Sequence, residues 1–255
     1  MKKIKQKNVE MKKKKNPSLS LMMGVYNEEQ NIESVYREAK KVLLKAKIPF
    51  EIIFIEGGST DNSYKILQNL SKKNKDCFVV KSNKSPGKKA EAGLRIARGK
   101  YASFMCSDGQ DDPSMIPKAI KLLESNKADF VKGKRIKRTF IERKIISMVF
   151  NNLVRILHPI GINDINGHPK VFRKEFLKGV YFISEYESID LEIMLRAHHR
   201  GYRVVEIPLV ERTRKEGKSS TNFSVAFRIF TDIFSYKWGR KHVLLLESLR
   251  QQASA

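Results

Sequence analysis

The sequence predicts an α/β fold, a mostly parallel sheet flanked by helices on both faces. Three observations lead there. Short apolar runs of β type alternate with longer stretches whose apolar residues recur at helical spacing. The alternation repeats strand, helix, strand, helix without a hairpin signal, as a parallel sheet covered on both faces requires. Polar, acidic and glycine residues collect where the runs end. A chain of 255 residues is long enough for one sizeable domain with appendages.

SLSLMMGVYN (18–27) is the first strand, followed by a helix in EEQNIESVYREAKKVLLKAK (28–47), where Ile32, Val35, Ala39, Val42 and Leu43 share one face. FEIIFIEGGSTD (50–61) is a strand broken by a Gly-Gly turn, and SYKILQNLSKK (63–73) the next helix. CFVVKSN (77–83), a helical GKKAEAGLRIARG (87–99), YASFMCSDG (101–109) and PSMIPKAIKLLESNK (113–127) continue the series. After residue 130 the pattern changes. RKIISMVFNNLVRIL (143–157) predicts an amphipathic helix, GINDINGHPKVFRKEF (161–176) a loop entering a short element, SIDLEIMLRAHHRG (188–201) a helix, and YRVVEIPLVER (202–212) a strand before the basic loop TRKEGKSST (213–221). Finally, NFSVAFRIFTDIFSYKWGRK (222–241) places Phe223, Phe227, Phe230, Phe234 and Trp238 at three- and four-residue spacing. That stripe either packs on the domain or, with Arg228, Lys237, Arg240 and Lys241 beside it, lies in a membrane interface.

These boundaries divide the chain into a basic, disordered tail (1–16), a main domain (17–221), and a C-terminal amphipathic helix and tail (222–255). The tail holds eight lysines in its first fifteen residues, and the whole chain has a formal charge of +24. Such a balance implies an anionic partner: a nucleic acid, an acidic membrane surface or a phosphorylated substrate. Zinc-finger spacing and aromatic RNA-binding motifs are missing from the sequence, so nucleic acid is not the expected partner. No apolar segment follows the basic stretch as in a secretory signal, and no run approaches the roughly eighteen apolar residues of a membrane span. Cys77 and Cys106 make no disulfide framework, which suits a reducing, cytoplasmic setting.

The strand ends are the candidate site. Asn27 and Glu28, Glu56 to Asp61, and Asp108 to Asp112 all fall at carboxyl ends, the edge where open α/β sheets bind ligands. Each loop taken alone is also explained as a capped turn.

In order, VYNEEQNI (25–32), IIFIEGGSTD (52–61), the G-x-x-x-A-x-G-x-Y run at 93–101 and SDGQDDP (107–113) resemble successive motifs of the inverting family-2 glycosyltransferases. DINGHPKVFRKE (164–175) and EIPLVERTRKEGKSS (206–220) are similar to its dolichol-phosphate mannosyltransferase and polyprenyl-phosphate glycosyltransferase branch. The resemblance implies a GT-A fold, a Rossmann-like sheet binding a nucleotide-sugar donor in its first half and an acceptor in its second. It implies nucleotide contacts at Tyr26, Asn27, Glu28, Glu56, Ser59 and Asp61. It implies Mg²⁺ or Mn²⁺ at Asp108 and Gln110, and cations for the diphosphate or acceptor phosphate at Lys170, Arg173 and Arg214, with Ser219 in the closing motif. Asp190 falls where members with hydroxyl acceptors place a carboxylate base; it is equally well a helix N-cap.

The chain departs from the family pattern in places. Cys106 stands where the first acid of Asp-x-Asp is expected, so a hard cation rests mainly on Asp108, with Gln110 and water. Gly57 replaces an aspartate, Gly24 a proline, and His168-Pro169-Lys170 a Gly-Phe-Arg or Ser-Phe-Arg; Lys cannot reproduce the bidentate fork of Arg. The implied reaction is transfer of a sugar, with inversion, from a nucleotide donor to a polyprenyl phosphate at the cytoplasmic face of an anionic membrane. Transfer to a hydroxyl acceptor, or a degenerate nucleotide-sugar binder serving a membrane-protein partner, are the alternatives.

Overall fold

The computed structural model describes residues 16–137, 141–184, 188–213 and 223–253, so the lysine-rich tail and most of the basic loop lie outside it. In the first half, β1 (Leu19–Val25), β2 (Phe50–Glu56), β3 (Cys77–Lys81) and β4 (Tyr101–Phe104) alternate with α1 (Ile32–Lys45), α2 (Ser63–Lys73) and α3 (Pro86–Ile96), and α4 (Met115–Glu124) follows. The second half contains β5 (Phe130–Lys137), α5 (Ile141–Leu157), β6 (Lys170–Arg173), a 3-10 turn (Lys174–Leu177), α6 (Ile189–His199), β7 (Val204–Val210), α7 (Phe223–Trp238) and α8 (Arg240–Ala253).

Seven strands form one sheet in the order β3-β2-β1-β4-β6-β5-β7. All run parallel except β6, which is antiparallel to β4 and β5. The period of two along β1 explains the layering. Leu19, Leu21, Met23 and Val25 point to one face and pack with α1, α4 and Leu67 of α2. Met22, joined by Ile53 and Ile55 of β2, faces the other side, where α3, α5, α6, α7 and α8 lie. On α1, Ile32, Val35, Ala39 and Leu43 are the buried face, as their spacing predicts. Each large aliphatic side chain so buried is worth about 1.5–3 kcal/mol.

The reversal of β6 positions the site. Its register sets Lys170 opposite Phe104, at the carboxyl end of β4, and Arg173 opposite Tyr101, at the other edge of the sheet. The approach to β6 is tight. A side-chain carbon at Gly133 or Gly167 would collide with the backbone of the other segment, so both positions need glycine.

The C-terminal stripe divides. Ile233 and Tyr236 of α7 and Leu245 of α8 are buried, whereas Phe230, Phe234 and Trp238 are 41%, 38% and 68% exposed. The side chains of Phe223 and Phe227 lie outside the described residues. Among the described residues, no helix is long and apolar enough to cross a membrane.

Candidate active site

The loops that follow β1 and β2 are stitched together. The Asn27 N–H donates to Ser59 Oγ (3.1 Å), the Thr60 N–H to Asn27 Oδ1 (2.8 Å), and Asn27 Nδ2 to Thr60 Oγ1 (3.1 Å). The Glu28 N–H donates to Ser63 Oγ (2.9 Å), and the N–H groups of Glu29 and Ser63 reach the two oxygens of Asp61. Burial works to raise the Asp61 carboxyl, but the hydrogen bonds from Ser63 and Glu29 prevail and hold it below the usual range. Glu56, buried at the end of β2, accepts the Ser59 N–H. Asn27 has φ +54°, a left-handed conformation that asparagine tolerates.

The first of these loops, through Tyr26 and Glu28, borders an open cleft of about 970 Å³ that Asp108 and Asp190 also line, whereas residues 57–62 do not reach it. At the end of β4, Ser107 Oγ donates to the Gly24 carbonyl (2.8 Å), which ties this loop to β1. One Asp108 oxygen accepts the Gln110 N–H (3.0 Å), and Gln110 Nε2 donates to the Arg212 carbonyl (3.2 Å). Asp112 accepts the Ser114 N–H and pairs with Arg212, so it shapes the entry to α4.

Opposite, the chain buries a set of charges. Asp190 is the second residue of α6, whose N-cap is Ser188, so its carboxylate is not the cap. It accepts a hydrogen bond from Lys170 Nζ (2.7 Å) and lies 3.3 Å from His168 Nε2. Burial pushes the Asp190 carboxyl up, but the charges of His168 and Lys170 outweigh it and hold the group well below the carboxylate range. Lys132, paired with Lys170 in register, donates to the carbonyls of Asp164 and Gly133. Arg135 grips the Asp164 carboxylate at 2.7 and 2.8 Å, and Glu206 accepts the N–H groups of Asn163 and Asp164. The segment carrying His168 is thereby anchored to β5 and β7.

A family model described as glycosyl transferase family 2 matches residues 20–180 of this chain. The chain belongs to that family. It is 25% identical over 222 residues to dodecaprenyl-phosphate galacturonate synthase of Rhizobium johnstonii, covering 85% of this chain but only 65% of that protein. It is 26% identical over 238 residues to dolichyl-phosphate beta-glucosyltransferase of Dictyostelium discoideum, covering 84% of this chain and 72% of the relative. Among solved structures, glucosyl-3-phosphoglycerate synthase from Mycobacterium tuberculosis, in complex with Mn²⁺, UDP and glucosyl-3-phosphoglycerate, superposes with a TM-score of 0.71. It is 17% identical and the match spans 87% of this chain and 80% of that one. The fold is therefore the GT-A fold.

For this family-2 chain, the cleft gathers Tyr26, Glu28, Asp108 and Asp190; Asn27, Glu56, Ser59, Asp61 and Gln110 do not line it, and Lys170 is fully buried against Asp190. Arg173 does not join them. Its guanidinium donates to the Leu123 carbonyl (2.6 Å) and Asn126 Oδ1 (2.8 Å) at the opposite edge, because β6 runs backwards. Arg214 and Ser219 lie outside the described residues. Three lysines escaped the sequence reading: Lys84, Lys88 and Lys89, which line the cleft at the start of α3. Lys84 Nζ donates to Tyr26 Oη (2.6 Å), and Lys88 pairs with Glu91 (2.9 Å). Their signal was Ser85-Pro86, an N-cap and first-turn proline that mark a helix start and hence an anion-favouring end. A Cβ at Gly57 would stand 3.0 Å from the Val25 carbonyl oxygen and 3.3 Å from Lys89 Cδ, and one at Gly24 3.4 Å from Lys89 Cδ, so both glycines border this side chain.

The donor atoms at the end of β4 do not form the oxygen-only set that Mg²⁺ or Mn²⁺ prefers. Cys106 supplies sulfur there, and one ligand atom each from Cys106, Asp111 and His168 lie within 4.8 Å of one another. Burial, then the carboxylates of Asp111, Asp108 and Asp190, push the Cys106 thiol well above its ordinary value.

Proposed function

We propose that this protein transfers a sugar from a nucleotide-sugar donor to a polyprenyl phosphate, with inversion at the anomeric carbon. The observation that carries the reading is the cleft itself, with three lysines and a helix N-terminus on one side and Asp108 on the other. The nucleoside lies over the Asn27–Ser59–Asp61 lattice, and its diphosphate lies toward Lys84, Lys88 and Lys89. As the bond from the anomeric carbon to the diphosphate breaks, these ammonium groups stabilise the departing charge. A divalent cation at the end of β4 would add to that neutralisation. The acceptor phosphate oxygen forms the new bond from the opposite face of the sugar.

Asp190 bears on the choice of acceptor. A hydroxyl acceptor needs a base, and a carboxylate held ionised by Lys170 and His168 is a weak one. A phosphate acceptor arrives ionised and needs only positioning. Transfer to a hydroxyl is the second reading, favoured by the presence of Asp190 in the cleft.

Membrane association at the cytoplasmic face belongs to the same proposal. On α5, Ile145, Ile146, Met148, Val149 and Ile156 are all more than half exposed, and α5 packs against α7, whose Phe230, Phe234 and Trp238 are also exposed. Lys144 and Arg155 are exposed on α5, and Arg240 at the start of α8. Each basic residue near an anionic surface contributes about 1 kcal/mol.

The test uses purified full-length chain, UDP- and GDP-linked sugars, divalent cations and a polyprenyl phosphate in anionic vesicles. The expected product is a lipid-linked sugar of inverted configuration. Asp108→Ala should lower turnover at least about 100-fold, and Lys89→Met should raise the donor KM about tenfold without moving the melting temperature. Equal transfer to a soluble alcohol and to polyprenyl phosphate would overturn the acceptor assignment.

A further inference from the structure

The geometry points to a metal site built from Cys106, Asp111 and His168, selective for a borderline cation such as Zn²⁺ over Mg²⁺. It rests on reading the cleft as a donor site only for what the metal does there, not for whether it binds.

Three elements bring the ligands together: Cys106 follows β4, Asp111 sits in the turn before α4, and His168 precedes β6. Cys106 Sγ lies 3.9 Å from His168 Nδ1, and the full set of ligand atoms falls within 4.8 Å. In a tetrahedral zinc site, with bonds of about 2.0 to 2.3 Å, neighbouring ligand atoms are about 3.5 Å apart. Rotamer adjustments of an ångström or less close the difference. Three protein ligands leave the fourth position to water or a phosphate oxygen, the pattern of catalytic rather than structural zinc.

The surroundings fit the same assignment. His168 Nε2 stands between Asp190 Oδ1 at 3.3 Å and Lys170 Nζ at 3.2 Å; with Nδ1 on the metal, Nε2–H turns to the carboxylate rather than accepting from Lys170, the carboxylate–histidine pairing that fixes a ligand imidazole. Lys170 in turn holds that carboxylate at 2.7 Å. Asp111 is oriented by accepting the Cys106 N–H at 2.7 Å. Sulfur and imidazole are donors that Zn²⁺ and Co²⁺ accept and that Mg²⁺ rejects. On this account the loss of an aspartate at position 106 changes the metal rather than abolishing it.

The experiment is titration of the metal-free full chain with Co²⁺, followed by absorption spectroscopy. Expected is a thiolate-to-cobalt charge-transfer band that Zn²⁺ bleaches and excess Mg²⁺ does not. Cys106→Ser should remove the band, His168→Gln should weaken Co²⁺ affinity at least tenfold, and Asp190→Asn should weaken it about tenfold. Cys106→Asp should convert metal-dependent thermal stabilisation from Zn²⁺ to Mn²⁺. A wild-type chain with no band, or a band that persists in Cys106→Ser, overturns the site. The assay needs no donor, so the two readings fail separately. Sugar transfer without the band sinks only the metal site, and the band without transfer sinks only the proposed reaction.

Discussion

The interlocked loops after β1 and β2 and the elements around β4, β6 and α6 flank one cleft, but they satisfy their polar side chains differently. On the first side, amides, hydroxyls and the carboxylates of Glu29, Glu56 and Asp61 bond to backbone N–H groups of the two loops, and Asn27 and Thr60 are exposed. Each bond is local and the lattice is a pair of interlocked turns. On the second side, Lys170 and Asp190 are charges taken out of water beside the buried Lys132, and each of the three depends on partners from distant parts of the chain. A lattice of many partly exposed bonds yields gradually when one is cut. Buried charges do not, because removing one partner leaves the other stranded.

The largest expected effect follows from that difference. Lys170→Met removes the cation closest to Asp190 and should destabilise the fold by about 3–5 kcal/mol in urea unfolding. Combining it with Asp190→Leu should restore most of the loss, since no charge is then left unpaired. A single substitution that costs under about 1 kcal/mol would mean that water reaches this pair and the contrast between the two sides is lost.

Lys132 offers a pH version of the same test. Burial, aided by the charge of Lys170, lowers its pKa from 10.5 to about 7. Between those values the unfolded chain keeps a proton that the native chain has released. Stability should therefore rise with pH across this window, by up to about 1.4 kcal/mol per unit, and draw no slope from this group below pH 7. Lys132→Met should flatten the profile measured by denaturation at pH 7 to 10.

The same contrast sets what could be read in the sequence. The first half was legible because its signals are local: a run of apolar residues, a turn, a helical face. The strand β5 was not, because FVKGKRIK reads as a charged surface segment. Lys132 is buried there only because the Asp164 carbonyl and Glu206, far along the chain, receive it. β6 has four residues and no period to reveal its direction, and that direction sends Lys170 to Asp190 beside the cleft and Arg173 away from it. Lys84, Lys88 and Lys89 were hidden at the start of a helix whose face could be read but whose N-terminus could not be aimed. The motif resemblance located Asp108 and Asp190; it could not show that Asp190 is held by Lys170 and His168, since that pairing depends on the reversed strand.

The smallest expected effect lies in the lattice. Asn27→Ala loses the three side-chain bonds to Thr60 and places alanine at φ +54°, which should cost about 1–2 kcal/mol. Asn27→Gly loses the same bonds but accepts the backbone angle, so it should cost less, about 1 kcal/mol or under. The ordering separates strain from hydrogen bonding, and equal costs would assign the whole effect to the bonds. Measuring nucleotide-sugar affinity of the glycine variant sharpens the point. A loss of affinity larger than the loss of stability would mean that the lattice is shaped for the ligand, whereas matched losses would leave Asn27 a turn residue that borders the cleft.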